Sequence, residues 1–415
     1  MFSFSKSSHN HGGRIVEKWT FDAKSPLLSS ATAVDIDGDG KKEIIFGTKT
    51  GRVFCIDENA NRKWEYDIQE KVDEVESFFY DSERMEAVHA TPTIQDVNND
   101  GQPEILFGTE LGIVYCLSNK GKLLWEYKTK GAVRGRIVVE DLDNDGVKEV
   151  VFGTTGGMFV ILTGGGKERF VIEIPGGMES EPAIFRTKNG TQIIFGTEKG
   201  ELLSYDPLGK PLWRFAAKGA IKARPVFGKL VSAENIVVGD ESGRLYCLDT
   251  QGNEEWQFKT EGAIYGRATL ADLNHDDNLE VVLGSCDNKV YCLSHRGEKL
   301  WSYETDFWIV CAPIVTDIDG DGNLEVVVGS FDHSLYILDG EGAYNLDYMP
   351  GLSGVAHQAG HYTEILTQEP GEHIGKRLWQ IKTQGMIVGC EELEKDNIII
   401  NVKSGFVQDM THKDE

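Results

Sequence analysis

The chain has 415 residues, and its 67 acidic against 42 basic side chains give a formal charge of -25. That balance disfavours nucleic acid and anionic membrane surfaces as general partners. No run reaches the roughly 18 consecutive apolar residues that a membrane-spanning helix needs, so no transmembrane segment is expected.

In chain order, residues 1–13 (MFSFSKSSHNHGG) read as a flexible tail. They lack the apolar core of a secretory signal, which gives the expectation of a cytoplasmic chain, with an extracytoplasmic location as the alternative. A strand carrying Trp19 follows, and then a unit begins that returns down the whole sequence. Its copies are DIDGDGKKEIIFGT from Asp35, DVNNDGQPEILFGT from Asp96, DLDNDGVKEVVFGT from Asp141, DLNHDDNLEVVLGS from Asp272 and DIDGDGNLEVVVGS from Asp317. Recurrence at a near-fixed period marks a repeat protein.

Each copy ends a short β-branched run on a glycine, at Gly47, Gly108, Gly153, Gly196, Gly239, Gly284 and Gly329, with Asn401 as the eighth. Apart from two enlarged intervals these markers stand 43 or 45 residues apart. Four residues on comes Gly51, Gly112, Gly157, Gly200, Gly243, Asn288, His333 or Gly405. These are residue types that tolerate positive φ, so a hairpin is expected at each. An alternating strand, a polar turn and a strand holding an aromatic come next; the aromatics are Trp19, Trp64, Trp125, Phe170, Trp213, Trp256, Trp301 and Trp379. Before each acidic turn lies one more strand, with an apolar residue (Leu27, Val88, Val133, Met178, Ile221, Ile264, Ile309, Ile387) and, two residues later, a small one. Small residues at one level of every repeat imply strands crowding around a common axis.

Four strands in each of eight repeats describe an all-β fold, an eight-bladed β-propeller of antiparallel blades. The chain opens with only an aromatic strand and closes with the other three strands of a repeat, from 383 to about 408. The last blade is therefore expected to be closed by the N-terminal strand, which removes an open sheet edge. One domain is predicted over 14–410, with a C-terminal tail at 411–415 and insertions at about 69–85 and 341–374.

The acidic turns set oxygen-bearing side chains at positions one, three, five and nine, a spacing that converges on one point and suits calcium. The complete sets are Asp35, Asp37, Asp39 and Glu43; Asp96, Asn98, Asp100 and Glu104; Asp141, Asp143, Asp145 and Glu149; and Asp317, Asp319, Asp321 and Glu325. A fifth, Asp272, Asn274, Asp276 and Glu280, has Asp277 in place of the turn glycine. Repeats four (IFRTKNGTQ) and five (FGKLVSAEN) lack the carboxylates and are expected to bind no ion; the eighth, EELEKDN, fits no template. Up to five Ca²⁺ in a structural role, and no organic cofactor, are expected.

The seven cysteines include no CxxC pair, and Cys55, Cys116, Cys247 and Cys292 occupy one repeat position that other copies fill with Ile or Ser. They read as core residues, which argues against a disulfide framework. The first insertion spaces Val72, Val75 and Phe79 on one helical face; it docks on its own blade or offers Phe78, Phe79 and Tyr80 to a partner. The second carries His357, His361 and His373, but Gly360 and the lack of a nearby acid or Cys argue against a metal there.

On the innermost strand, the residues flanking the small position include His89, Arg134, Arg136, Glu179, Glu181, Lys222, Arg224, Tyr265 and Arg267, whereas repeats seven, eight and one are small or apolar. Two readings of this basic arc stay open: a site for an anionic ligand, or a salt-bridge network lining the channel.

The GKxLW turn and strand resembles the repeat of pyrroloquinoline-quinone-like propellers, and DxDxDGxxE followed by a strand resembles the FG-GAP calcium loops of integrin-α-like propellers. The resemblance covers about residues 14–410 and implies fold and calcium loops more than activity. A non-catalytic, calcium-stabilised scaffold that binds a protein or an extended anionic ligand through its loops and channel mouth is the favoured function. The alternatives are a quinone-dependent dehydrogenase and a calcium-containing polysaccharide lyase, in which Tyr265 or His89 acts as base and Arg136, Arg224 or Arg267 neutralises a uronate.

Overall fold

The computed structural model describes residues 14–28, 30–68, 87–188, 190–230, 234–318, 322–340, 343–344, 373–374, 377–383, 385–394 and 397–413. The first insertion lies outside these residues, as do Asp319 and Asp321 of the seventh acidic turn and His357 and His361 of the second insertion. Of that second insertion only Ala343–Tyr344 and His373–Ile374 are described, paired as a short antiparallel ladder.

Eight four-stranded antiparallel sheets account for the repeats. Blade one runs Thr32–Val34, Glu43–Gly47, Arg52–Ile56 and Arg62–Asp67 from axis to rim, and the following blades repeat the order. Inner strands of neighbouring blades touch around the ring, including Ile314–Thr316 of blade seven against Ile387–Glu394 of blade eight and the latter against Thr32–Val34. The eighth blade takes Arg14–Asp22 as its rim strand, paired with Phe406–Lys413, as the phase of the repeats predicts. That third strand runs past the expected boundary at 410, because Arg14, Ile15 and Val16 extend the ladder to Lys413, His412 and Thr411. Among the described residues no helix is long and apolar enough to cross a membrane.

The marker glycines join the blades. A methyl group on Gly47 would stand 2.4 Å from the Val88 side chain, on Gly108 2.3 Å from Val133, on Gly239 2.3 Å from Ile264 and on Gly284 2.2 Å from Ile309. Each glycine is thus a seat for the apolar residue that leads into the next blade. The same segment is held by main-chain bonds on both sides. Val133 N–H donates to Thr109 of blade two (3.0 Å), while Thr155 N–H of blade three donates to Ala132 (2.9 Å). The bonds recur around the ring, for example Ile264 to Asp240 (3.1 Å) and Cys286 to Ala263 (2.9 Å).

The tryptophans make a second set of joints near the rim. The indole N–H of Trp19 donates to Glu58 C=O (3.0 Å), Trp64 to Asn119 (3.0 Å), Trp125 to Gly164 (3.0 Å) and Trp301 to Gly340 (3.0 Å), each in the following blade. Trp213 instead donates to Gln192 Oε1 (3.0 Å) of its own blade, and the Gln192 amide donates onward to Thr250 C=O (3.2 Å) of blade five. The cysteines lie opposite these rings, Cys55 against Trp64 and Cys247 against Trp256, with burial pushing both thiols up to about 12. They are free thiols filling core space.

Substituting Gly239→Ala should cost about 1–3 kcal/mol of stability through overpacking against Ile264. Gly165→Ala, whose methyl would meet only Thr163 Oγ1 at 3.9 Å, should stay within about 0.5 kcal/mol. Denaturant unfolding of the two variants checks the contrast.

Candidate functional site

Two regions carry the residues singled out in the sequence. The acidic turns join the first and second strands of a blade. The axial cavity lies at the other end, where connectors pass from one rim strand to the next inner strand.

In each described acidic turn the first carboxylate folds the loop over itself. Asp35 accepts from Gly38 N–H (2.7 Å), Asp39 N–H (3.1 Å) and Gly40 N–H (2.9 Å); Asp96 accepts from Asp100 (3.1 Å) and Gly101 (2.9 Å). Asp141 accepts from Asp145 (3.0 Å) and Gly146 (2.9 Å), Asp272 from Asp276 (3.0 Å) and Asp277 (3.0 Å), and Asp317 from Gly322 (3.2 Å). Asp277 takes the glycine's left-handed conformation at φ 67°, so the deviating fifth turn closes in the same way.

The ninth-position glutamate is a buried clamp. Glu43 accepts from Ile36 N–H (3.1 Å), Glu104 from Val97 (3.0 Å), Glu149 from Leu142 (3.0 Å), Glu280 from Leu273 (2.8 Å) and Glu325 from Ile318 (2.9 Å). Burial pushes Glu104, Glu149 and Glu280 up from the ordinary carboxylate range. In blade five Asn235 keeps the role without a charge, accepting from Leu230 N–H (3.3 Å).

The remaining oxygens divide the turns into two kinds, a difference the motif alone does not show. In blade one Lys63 bridges Asp37 and Glu43 at 2.7 Å each, and in blade three Arg169 bridges Asp143 and Glu149. The bonds hold Asp37 and Asp143 below their usual range. Blades two, six and seven carry Leu124, Leu300 and Leu378 at that position before the aromatic. In blade two Asn98 donates to Asp100 (3.1 Å) and Glu104 (3.1 Å) in place of a cation. Carboxylate oxygens of Asp35, Asp37 and Asp39, and of Asp141, Asp143 and Glu149, lie within 4.8 Å of one another. All are hard oxygen donors, which is the chemistry calcium takes.

The axial cavity has a volume of about 270 Å³ and is lined by all seven side chains predicted as ligand contacts: His89, Arg134, Arg136, Lys222, Arg224, Tyr265 and Arg267. They form two levels. Nearer the connectors, Arg134 pairs with Glu110 and Glu179, Lys222 pairs with Glu179 (3.1 Å) and Glu241 (3.0 Å), and His89 Nε2 lies 3.5 Å from Glu110. Burial pushes the His89 imidazole down, so it is neutral near pH 7. Glu110 and Glu241 were not singled out in the sequence. Each stands two residues after a marker glycine, and aligning that position around the ring would have found them.

Two residues deeper, Arg224 pairs with Glu181 at 3.1 Å, and Arg136 Nε donates to Thr93 Oγ1 at 3.3 Å. Among the described residues neither Arg136 nor Arg267 forms an ion pair. Ser30, Thr91, Ala312 and Cys390 make up the rest of that level. On the connector face Phe307 and Trp308, 41% and 46% exposed, stack with ring centroids 5.2 Å apart. The corresponding positions elsewhere hold pairs such as Gly131–Ala132 and Gly262–Ala263.

A family model described as the Lambda-carrageenase beta-propeller domain matches residues 93–134 and 265–347. No curated protein matches the chain in sequence. Among solved structures, BamB from Moraxella catarrhalis is similar at 14% identity and a TM-score of 0.63, covering 96% of this chain and 100% of its own. The computationally designed Ika8 protein is similar at 15% identity and 0.63, covering 94% and 97%. BBS1N, solved in complex with ARL6DN, is similar at 11% identity and 0.54, covering 96% of each chain. At these identities the likeness is one of fold.

Removing the bridging cation from blade one by Lys63→Met strands one oxygen of the buried Glu43. The loss should be about 1 kcal/mol, at the low end because the Lys63 side chain is 30% exposed. Arg169→Met should behave alike, and urea unfolding in metal-free buffer measures both.

Proposed function

We propose that the chain is a non-catalytic, calcium-stabilised propeller scaffold that binds an extended anionic ligand across the mouth of its axial cavity. The observation that carries this reading is the pairing, on one face, of the charged arc with exposed aromatic side chains. Phe307 and Trp308 stand where the connectors into blades three to six have Gly–Ala or Gly–Gly, and Tyr265, 37% exposed, stands beside Lys222 at the cavity. Exposed aromatic rings on the face that carries the charged arc suit a ligand with flat apolar faces and acidic groups.

A titration followed by tryptophan fluorescence tests it, using polygalacturonate and polyglutamate against dextran and polylysine. The acidic polymers should change the signal, and Trp308→Ala or Arg134→Gln should weaken the response. Binding of dextran or polylysine alone would contradict the reading.

Calcium enters this proposal as a structural ion in the acidic turns on the opposite face. The turns of blades one and three already hold Lys63 or Arg169, so the gain from calcium falls mainly on blades two and six. There, among the described residues, the neutral amides of Asn98 and Asn274 and no cationic side chain bond to the carboxylates, which repel one another. Stability should rise with calcium over chelator by roughly 1.4 kcal/mol per site for each tenfold excess above the dissociation constant, seen as a higher melting temperature. Leu124→Lys, at an exposed position, should raise the calcium-free melting temperature and shrink the calcium-dependent shift. A melting point indifferent to calcium, with no metal by elemental analysis, would remove the ion from the account.

A second reading is supported by the carrageenase named in the matching family model, which favours a polysaccharide as ligand or substrate. In that reading His89, neutral by burial, is a better base than Tyr265, whose phenol burial and Glu241 push up. Release of new reducing ends from a sulfated galactan, or of unsaturated products from a polyuronate, lost in His89→Ala, would establish the enzymatic alternative. The complex recorded for BBS1N with ARL6DN supports a protein partner in the same general sense.

A further inference from the structure

The two levels of the axial cavity differ in how their charges are matched. Near the connectors, Arg134 and Lys222 are shared among Glu110, Glu179 and Glu241, so that level is compensated by its own ion pairs. Two residues deeper, three guanidiniums, Arg136, Arg224 and Arg267, meet one carboxylate, Glu181, and only Arg224 is paired with it. Arginine does not deprotonate in proteins, so this level holds two positive charges in excess.

We propose that Arg136, Arg224 and Arg267 form a binding site for a compact dianion bearing phosphate or carboxylate groups, seated inside the cavity. The inference rests on the reading of this cavity as a ligand site and names the ligand chemistry.

Three observations carry it. Arg224 Nε is buried and has no hydrogen-bond partner, a donor left open at a cost unless a ligand accepts from it. The facing wall is neutral, with Ser30 and Thr91 supplying hydroxyls and Ala312 and Cys390 supplying small surfaces, so no second carboxylate competes for the guanidiniums. The cavity volume of about 270 Å³ leaves room for a small anionic group beside the guanidiniums. Guanidinium forks match the paired oxygens of carboxylate and phosphate, and the match gains strength where water is partly excluded. In support, burial chiefly pushes the Arg224 guanidinium down; Glu181 opposes this, and the neighbouring charges of Arg267 and Arg136 add to it. An anion among the three relieves that repulsion. The connector-level ion pairs leave a mouth of mixed charge, through which a small anion passes without meeting an unpaired acid wall.

Calorimetric titration of the full chain at low salt with glycerol 3-phosphate, succinate and acetate tests the proposal. At least one dianion should bind, acetate should not, and added salt should weaken the binding. Response to glycerol 3-phosphate alone identifies a phosphate site, and response to succinate alone a dicarboxylate site. Arg267→Gln should weaken the dianion at least tenfold, since Arg267 leaves no partner behind when removed. Arg136→Gln gives the same readout should the first variant melt early. Binding of neither dianion to the unsubstituted chain, or affinity unchanged in both variants, overturns the proposal. An extended acidic polymer that still binds, weakened by Arg134→Gln and indifferent to Arg267→Gln, would show that the broader reading stands while this site does not.

Discussion

The structure depends on one contact made again and again: a glycine at the end of a blade's second strand receives the apolar residue that starts the next blade. Any side chain on Gly108 or Gly239 would occupy the space of Val133 or Ile264, so the approach of successive blades is fixed by the missing methyl group. The flanking main-chain bonds make the connector common to two blades, since Val133 donates back to Thr109 and Ala132 accepts from Thr155. Farther out, the indole bonds of Trp64 and Trp125 to carbonyls of the next blade set the splay. Closure by Arg14–Asp22 extends these joints to the ends of the chain, and Trp19 binds Glu58 as its counterparts bind theirs.

Because each connector is pinned on both sides, the residues just after its apolar anchor are carried to the axis at fixed heights. The anchor Val133 is followed by Arg134 and Arg136, Ile221 by Lys222 and Arg224, Ile264 by Tyr265 and Arg267. The two levels of the cavity are therefore a consequence of the repeat and not of a separate binding loop. Their asymmetry comes from which repeats carry charge: blades three to six supply it, while blades seven and eight supply Val310, Ala312, Val388 and Cys390.

The period, the hairpin glycines, the eight blades and their closure were all legible in the sequence, because each depends on residues within one repeat or on its phase. The in-register cysteines read correctly as core for the same reason. What escaped notice lies between elements that the repeat alignment keeps apart. Lys63 and Arg169 sit on rim strands, 20 residues from the glutamates they bridge, and no motif of the acidic turn includes them. Glu110 and Glu241 belong to hairpins at the connector face and meet the arc only once the blades are packed. The substitution of Asn235 for the buried glutamate was also visible as a residue and opaque as a role, since its bond to Leu230 N–H shows that the position is first an acceptor for the loop.

On the proposal made above, the pinned connectors gather an uncompensated positive charge on the axis for an anion to occupy. An anomalous difference map from crystals soaked in selenate tests it most directly, because selenate is a compact dianion whose position the scattering identifies. A peak should stand among the guanidiniums of Arg136, Arg224 and Arg267. A map without density there, in which Arg267 turns to share Glu181 with Arg224, would contradict it.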